Sequence, residues 1–176
     1  MRLGMDAAKR HLRLLSAVVE MRELEALVAS EAPKVSQLTD SLQAKEMFTR
    51  WAQDSEMHRG ICQQMIERLQ HKAPRNEGSS EIGASHESSY VRKITSEILP
   101  ELKKNKLNTR VLYYLAEKHL ILESDAGRRY AEMAKMAEDQ EIKKMLMELS
   151  KAEKDHHREA QSLVNLLKKT CRLSSH

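Results

Sequence analysis

Glutamate and histidine recur at matched places in the two halves of the sequence. Glu153 and His156 form a Glu-x-x-His, and residues three apart share one face of a helix. Glu123 precedes them, and a step of 98 residues back from Glu123 and His156 reaches Glu25 and His58. A carboxylate and an imidazole that point the same way suit iron, manganese or zinc. The pattern therefore predicts a metal-binding face built from Glu and His.

These polar residues interrupt lines of apolar side chains. In each of four long segments, apolar residues recur every three or four positions, which is the spacing of a heptad seam. Glu and His are rarely buried unless paired or bound, and burying a carboxylate costs several kcal/mol. Other interpretations stay open. Glu153 and His156 could form a buried pair held by hydrogen bonds, or lie on a solvated face if the assumed register is wrong. For Glu25, a slipped register would put Glu20 or Glu23 in its place.

Four helices are needed to position these residues. The periodic segments predict one helix pair over 5–72 and a second over 108–170, joined by a crossover at 73–107 that begins rich in Pro, Gly, Ser and Asn. A connection of this length predicts an all-α four-helix bundle with a crossover between helices two and three. A shift of 98 residues superimposes the two seams, which indicates duplicated helix pairs within a single domain, 1–176. Pro33 predicts a kink or an early end in the first helix.

The second half of the chain resembles the rubrerythrins and related ferritin-like di-iron proteins. The resemblance rests on Glu123, Ala126, Tyr130, Ala134, Leu146, Leu149, Glu153 and His156. Residues 14–69 match the same pattern more weakly. The family implies a ferritin-like bundle that binds two metals through one Glu from each of two helices and a Glu-x-x-His from each of the other two. Carried over to this chain, the resemblance implies metal ligands at Glu25, His58, Glu123, Glu153 and His156.

The chain departs from the family pattern at several positions. Ser55 stands where the first half should carry a Glu, so the implied ligand set is one carboxylate short. Asp54 could reach the same face. His119, one turn before Glu123, is either a structural or ligand-orienting histidine or a replacement for the missing ligand. Ala126 replaces an extra Glu of the rubrerythrins, and the paired Cys-x-x-Cys knuckles of a rubredoxin module are absent from this sequence, which implies an external electron donor.

The resemblance implies a function as well as a fold. We expect an iron protein with one or two ions, manganese and zinc being alternatives, and ferroxidase or peroxidase chemistry with O2 or hydrogen peroxide. Whether the chain is an enzyme depends on the missing carboxylate. The alternative is a metal-free bundle that has lost redox chemistry and acts as a structural or oligomerisation module. A third hypothesis for the function is a helical bundle that binds and protects DNA under stress.

Composition bears on partners and location. Lys and Arg number 30 and Asp and Glu 26, mixed along the chain, which disfavours a dedicated nucleic-acid binder with a basic block. No apolar run approaches the ~20 residues of a membrane span, and no signal peptide is evident. With two cysteines the sequence predicts no disulfide framework and a cytoplasmic location. A homodimer is expected, with apolar residues off the seam at its interface: Tyr113, Tyr114, Leu120 and Ile121.

Overall fold

The computed structural model describes residues 2–72 and 109–173, with side chains for 6–72 and 109–171. Four helices account for nearly all of these residues: α1 (Arg2–Leu38), α2 (Leu42–Lys72), α3 (Thr109–Met136) and α4 (Gln140–Leu173). No strand occurs in these ranges, so the all-α prediction is confirmed. No helix within them has the length and apolar character of a membrane span. The predicted crossover, 73–107, lies outside the described residues.

A short turn connects α1 to α2. The hydroxyl of Ser41 accepts a hydrogen bond from the backbone N–H of Ala44 at 3.3 Å, and the hydroxyl of Thr39 accepts one from the N–H of Ser41 at 3.2 Å. Ser41 therefore caps the first turn of α2, where the helix itself leaves backbone donors unpaired. The helices α1 and α2 pack closely as a pair, as do α3 and α4.

Pro33 does not end the first helix, which continues to Leu38. A proline inside a helix lacks the N–H that would bond to the carbonyl four residues earlier, so the sequence predicts a break or a kink there. The neighbouring Ala32 and Val35 are buried in the core. Their burial stabilises the helical conformation on both sides of Pro33, and tertiary packing thus overrides the local signal for an early end.

Asp139 organises the turn between α3 and α4. One carboxylate oxygen accepts hydrogen bonds from the backbone N–H groups of Glu141 and Ile142, at 2.8 and 3.2 Å. The other oxygen accepts from Arg68 Nε at 2.7 Å and Lys72 Nζ at 2.5 Å. These two cations hold the pKa of Asp139 well below its usual range. Asp139 therefore caps α4 and also ties this turn to the end of α2.

The core divides into two apolar clusters. One is centred on Met21, Met65 and Tyr130, and the other surrounds Trp51 and Leu163. Each helix passes from one cluster to the other, and at that level it buries polar side chains instead of apolar ones. We call this level the polar layer, and it consists of Glu25, Ser55, His58, His119, Glu123, Glu153 and His156.

Candidate metal centre

The structure brings the five implied ligands together in the polar layer. Every one of them is at least nine-tenths buried, and each of the four helices contributes at least one. The helix of origin is α1 for Glu25, α2 for His58, α3 for Glu123 and α4 for Glu153 and His156. The register in which Glu20 or Glu23 would replace Glu25 is not the one found, because Glu23 is exposed and Glu20 half-buried while Glu25 is buried.

Glu153 lies between two histidines. Its Oε1 is 2.9 Å from Nδ1 of His58, which reaches it from α2. Its Oε2 is 3.5 Å from Nδ1 of His156, one helical turn further along α4. The two imidazole rings are stacked, with centroids 5.5 Å apart. One carboxylate thus faces both histidines through the same ring atom, Nδ1.

A second carboxylate lies near each histidine. Glu25 Oε1 is 3.6 Å from Nδ1 of His58, and Glu123 Oε2 is 3.4 Å from Nδ1 of His156. The polar layer therefore contains two groups, each with one imidazole and one carboxylate of its own. Glu153 is common to both groups.

The spacing of these donor atoms suits a shared cation, whereas several of the atoms do not form hydrogen bonds with one another. His58 Nδ1, Glu153 Oε1 and Glu123 Oε2 are buried and have no hydrogen-bond partner, because their close approaches fall outside hydrogen-bond geometry. Ligand atoms of His58, Glu153 and His156 lie within 4.8 Å of one another. Two donors at right angles on one ion, with bonds of about 2.0–2.2 Å, are about 3 Å apart. The spacings in the polar layer match such an arrangement, and unpaired buried donors are costly without it.

The two histidines have raised pKa values. Burial lowers the pKa of His58, but the contacts with Glu153 and Glu25 outweigh burial and raise it to about 9. For His156, burial is outweighed by Glu123 and Glu153, and the pKa rises to about 11. Both imidazoles therefore hold an extra proton at neutral pH in the metal-free protein. A metal ion would have to displace those protons, since only the neutral imidazole is a ligand.

The pKa values of the buried carboxylates are shifted in opposite directions. Burial raises the pKa of Glu25 and, together with the neighbouring Glu123, that of Glu153. Burial also opposes ionisation of Glu123, but the adjacent His119, together with Glu153 and His156, outweighs it and holds the pKa of Glu123 well below its usual range. Titratable groups with strongly divergent environments in one buried layer are typical of functional sites.

Tyr130, Cys62 and Asp54 surround two of the implied ligands, Glu25 and His156. The Tyr130 hydroxyl donates a hydrogen bond to Glu25 Oε1 at 2.7 Å, and Cys62 Sγ lies 3.5 Å from the same hydroxyl. Asp54 Oδ2 is 3.1 Å from Nε2 of His156. A proton held on Nε2 by Asp54 leaves Nδ1 of the neutral ring free to bind a metal. Asp54 thus lies behind His156, on the side of the ring away from Glu153.

Ser55, which stands in place of a carboxylate, and the additional histidine, His119, both lie in the polar layer. Ser55 is buried at the position that matches Glu153 in the other half. His119 Nε2 is 2.7 Å from Glu123 Oε1, and its ring stacks on Trp51 with centroids 3.9 Å apart. Sequence reasoning missed this stack, because Trp51 occupies the apolar seam as any core residue would.

Gly127 brings α3 and α4 close together beside the centre. A Cβ added to Gly127 would lie 3.2 Å from the Cβ of Glu153. The Ser150 hydroxyl donates a hydrogen bond to the Gly127 carbonyl at 2.9 Å, which holds the two backbones at this distance. The absence of a side chain at Gly127 therefore helps to set the position of Glu153.

Comparison with known proteins identifies the family to which this chain belongs. A family model described as Rubrerythrin matches residues 34–164, a range that includes His58, Glu123, Glu153 and His156 and excludes Glu25. Searches of curated proteins and of solved structures found no match. The family match covers about three quarters of the 176 residues. Together with the four helices and their buried Glu–His layer, it establishes that this chain belongs to the rubrerythrin family and has its ferritin-like fold.

Proposed function

We propose that the protein binds iron in the polar layer, as one or two ions, and uses it in ferroxidase or peroxidase chemistry. The observation that carries this proposal is the position of Glu153, whose two oxygens face Nδ1 of His58 at 2.9 Å and of His156 at 3.5 Å. A mixed set of carboxylate and imidazole donors suits iron, with manganese and zinc as alternatives. Membership of the rubrerythrin family supports the same choice.

The contacts within the polar layer suggest two neighbouring metal positions, each with its own histidine and glutamate. Glu25 and His58 would hold one ion and Glu123 and His156 the other, with Glu153 contributing an oxygen to each. Bound iron would supply the one-electron oxidation and reduction that reactions of O2 or hydrogen peroxide require. The protein would hold its ligands in fixed orientations between two apolar clusters, which limits the access of bulk water.

Ser55 bears on the number of ions. The three glutamates, Glu25, Glu123 and Glu153, can supply about three negative charges, whereas two divalent cations bring about four positive ones. A fourth carboxylate in place of Ser55 would balance that charge, but a hydroxyl does not. We therefore expect one ion to bind tightly and a second to bind more weakly.

The proposal also covers the assembly and its partners. We infer that both helix pairs form one domain, because the proposed ligands come from both. A homodimer and a cytoplasmic location remain expectations, and the support for the dimer is Ile121, which is 56% exposed beside the half-buried Tyr113, Tyr114 and Leu120. Light scattering on the purified protein tests the dimer. Electrons for a peroxidase cycle would come from an external donor protein.

Metal counting followed by oxidation tests the function. The full-length protein, freed of metal, is titrated with Fe²⁺ without oxygen, and the bound iron is measured. The loaded protein is then mixed with O2 or hydrogen peroxide, and oxidised iron is followed by its absorbance. The site variant His58→Ala/Glu153→Ala removes two proposed ligands, and the control variant His71→Ala/Glu148→Ala makes the same changes at exposed positions.

We expect the wild-type and control proteins to bind one or two ions, and the site variant to lose tight binding. A wild-type protein that takes up no iron, manganese or zinc would contradict the proposal and favour the structural or oligomerisation module. Iron that binds but reacts with neither oxidant would contradict the catalytic part alone.

A further inference from the structure

His119 is a buried histidine whose ring atom Nε2 lies against a carboxylate without forming a hydrogen bond. The residue is 6% exposed, and Nε2 lies within ion-pair distance of Glu123 Oε1, at 2.7 Å, without the geometry of a hydrogen bond. Glu123 Oε2 also lacks a hydrogen-bond partner. A purely structural histidine in the core would normally form a well-aligned hydrogen bond through this nitrogen, because a poorly aligned buried donor or acceptor is costly.

Trp51 fixes the orientation of this histidine. The indole ring stacks on the imidazole with centroids 3.9 Å apart and planes 30° apart, and Trp51 itself is fully buried. Stacking of this kind restricts the imidazole to one plane. Nε2 of His119 is therefore held towards Glu123 before any metal arrives.

The two halves of the chain differ at two matched positions of the polar layer. Ser55 stands where the other half has Glu153, so one carboxylate is missing. Met21 stands where the other half has His119, so one imidazole is added. The chain thus lacks an oxygen donor in one half and has an additional nitrogen donor in the other.

We propose that His119 is a further metal ligand on the Glu123 side of the centre, so that the polar layer offers three imidazoles and three carboxylates. This inference rests on the proposed metal binding. The 2.7 Å spacing of His119 Nε2 and Glu123 Oε1 is close to the ~3 Å that separates neighbouring donors on one ion. Imidazole binds Zn²⁺ and Fe²⁺ in preference to Mn²⁺, so His119 should tune the centre away from manganese.

Metal selectivity tests this role without measuring turnover. The wild-type protein, His119→Phe and the control His71→Phe are titrated with Zn²⁺ and with Mn²⁺ against a chelator of known affinity. Phenylalanine can keep the stack on Trp51 while removing the donor nitrogen, and circular dichroism verifies the fold. His119→Gln serves as a second variant if His119→Phe is poorly folded. The fluorescence of Trp51, the sole tryptophan in the chain, gives an independent record of binding beside His119.

We expect His119→Phe to lower the affinity for both metals unequally, because the lost donor is a nitrogen. The fold-loss for Zn²⁺ should be about ten times the fold-loss for Mn²⁺, or more. The control should match the wild-type protein. If the variant binds both metals as the wild type does, or loses both equally, His119 is not a ligand, while the proposed function stands. If the wild-type protein itself binds neither these ions nor iron, the proposed function fails and this inference fails with it.

Discussion

Addition of metal should stabilise this protein strongly, and the structure sets the scale. Four polar atoms of the layer are buried without a hydrogen-bond partner: His58 Nδ1, His119 Nε2, Glu123 Oε2 and Glu153 Oε1. Each such atom would cost about 1–3 kcal/mol if nothing paired with it, so cations that bind all four could relieve at most about 4–12 kcal/mol, less the free energy needed to displace the protons of His58 and His156. A net gain of about 8 kcal/mol would correspond to a dissociation constant of about 1 μM, which we take as the working value.

A dissociation constant of this size predicts how far bound metal should raise the melting temperature. At a free metal concentration of about 100 times the dissociation constant, ligand binding adds about 2.7 kcal/mol to the free energy of unfolding. For a chain of this length, 1 kcal/mol corresponds to a shift of about 2–4 °C. Thermal unfolding followed by circular dichroism, without oxygen and at ~100 μM Fe²⁺, should therefore show a rise of about 5–11 °C.

Two controls make this measurement decisive. Mg²⁺ at the same concentration should leave the melting temperature unchanged, because imidazole-containing sites bind it poorly. The variant His58→Ala/His156→Ala should show no rise with Fe²⁺. Equal melting temperatures of the wild-type protein with Fe²⁺ and with Mg²⁺ would refute the reasoning, because the unpaired atoms would then be satisfied by something other than a metal.

Three further predictions concern residues that are not proposed as ligands. Replacement of Asp139 by Ala should lower the melting temperature by about 2–8 °C at pH 7, since an N-cap contributes about 1–2 kcal/mol. Because the folded pKa of Asp139 is depressed, its contribution is present above the unfolded pKa, and the difference from wild type should shrink as the pH falls below about 4. The change Tyr130→Phe removes the O–H donor of Glu25 and should lower metal affinity by about 10–100-fold in a chelator competition, whereas an unchanged affinity would show that Glu25 needs no such support. A Cβ in Gly127→Ala improves helix propensity by about 1 kcal/mol but must displace Glu153, so urea unfolding should show little net change while metal affinity falls about tenfold.

Much of the candidate centre could be predicted because helical spacing is regular along the chain. Glu153 and His156 share a face of one helix, and a shift of 98 residues, a whole number of heptads, carries that face onto the other half. Glu25, Glu123 and His58 therefore had to lie on core-facing sides at corresponding levels. Their assignment as metal ligands stays a prediction.

Other features could not be predicted from spacing. Asp54 was a candidate replacement for the missing carboxylate, yet it lies at Nε2 of His156, away from Glu153. The stack between His119 and Trp51 joins α3 and α2, which are distant in sequence. Pro33 signalled an end or a kink in the first helix; the end is not found, because the helix continues to Leu38 with buried side chains on either side of Pro33, and the kink stays a prediction.

The sequence by itself determined four amphipathic helices, the duplicated seams and the level at which polar groups enter the core, because periodicity along one helix decides which residues face inward. Only the tertiary structure decided which atoms meet across helices, such as the two oxygens of Glu153 with His58 and His156. These contacts depend on helix rotation, on rotamers and on the close approach at Gly127. Differences of about 1 Å in these quantities separate a ligand from a neighbour, and the one-dimensional spacing of residues does not contain them.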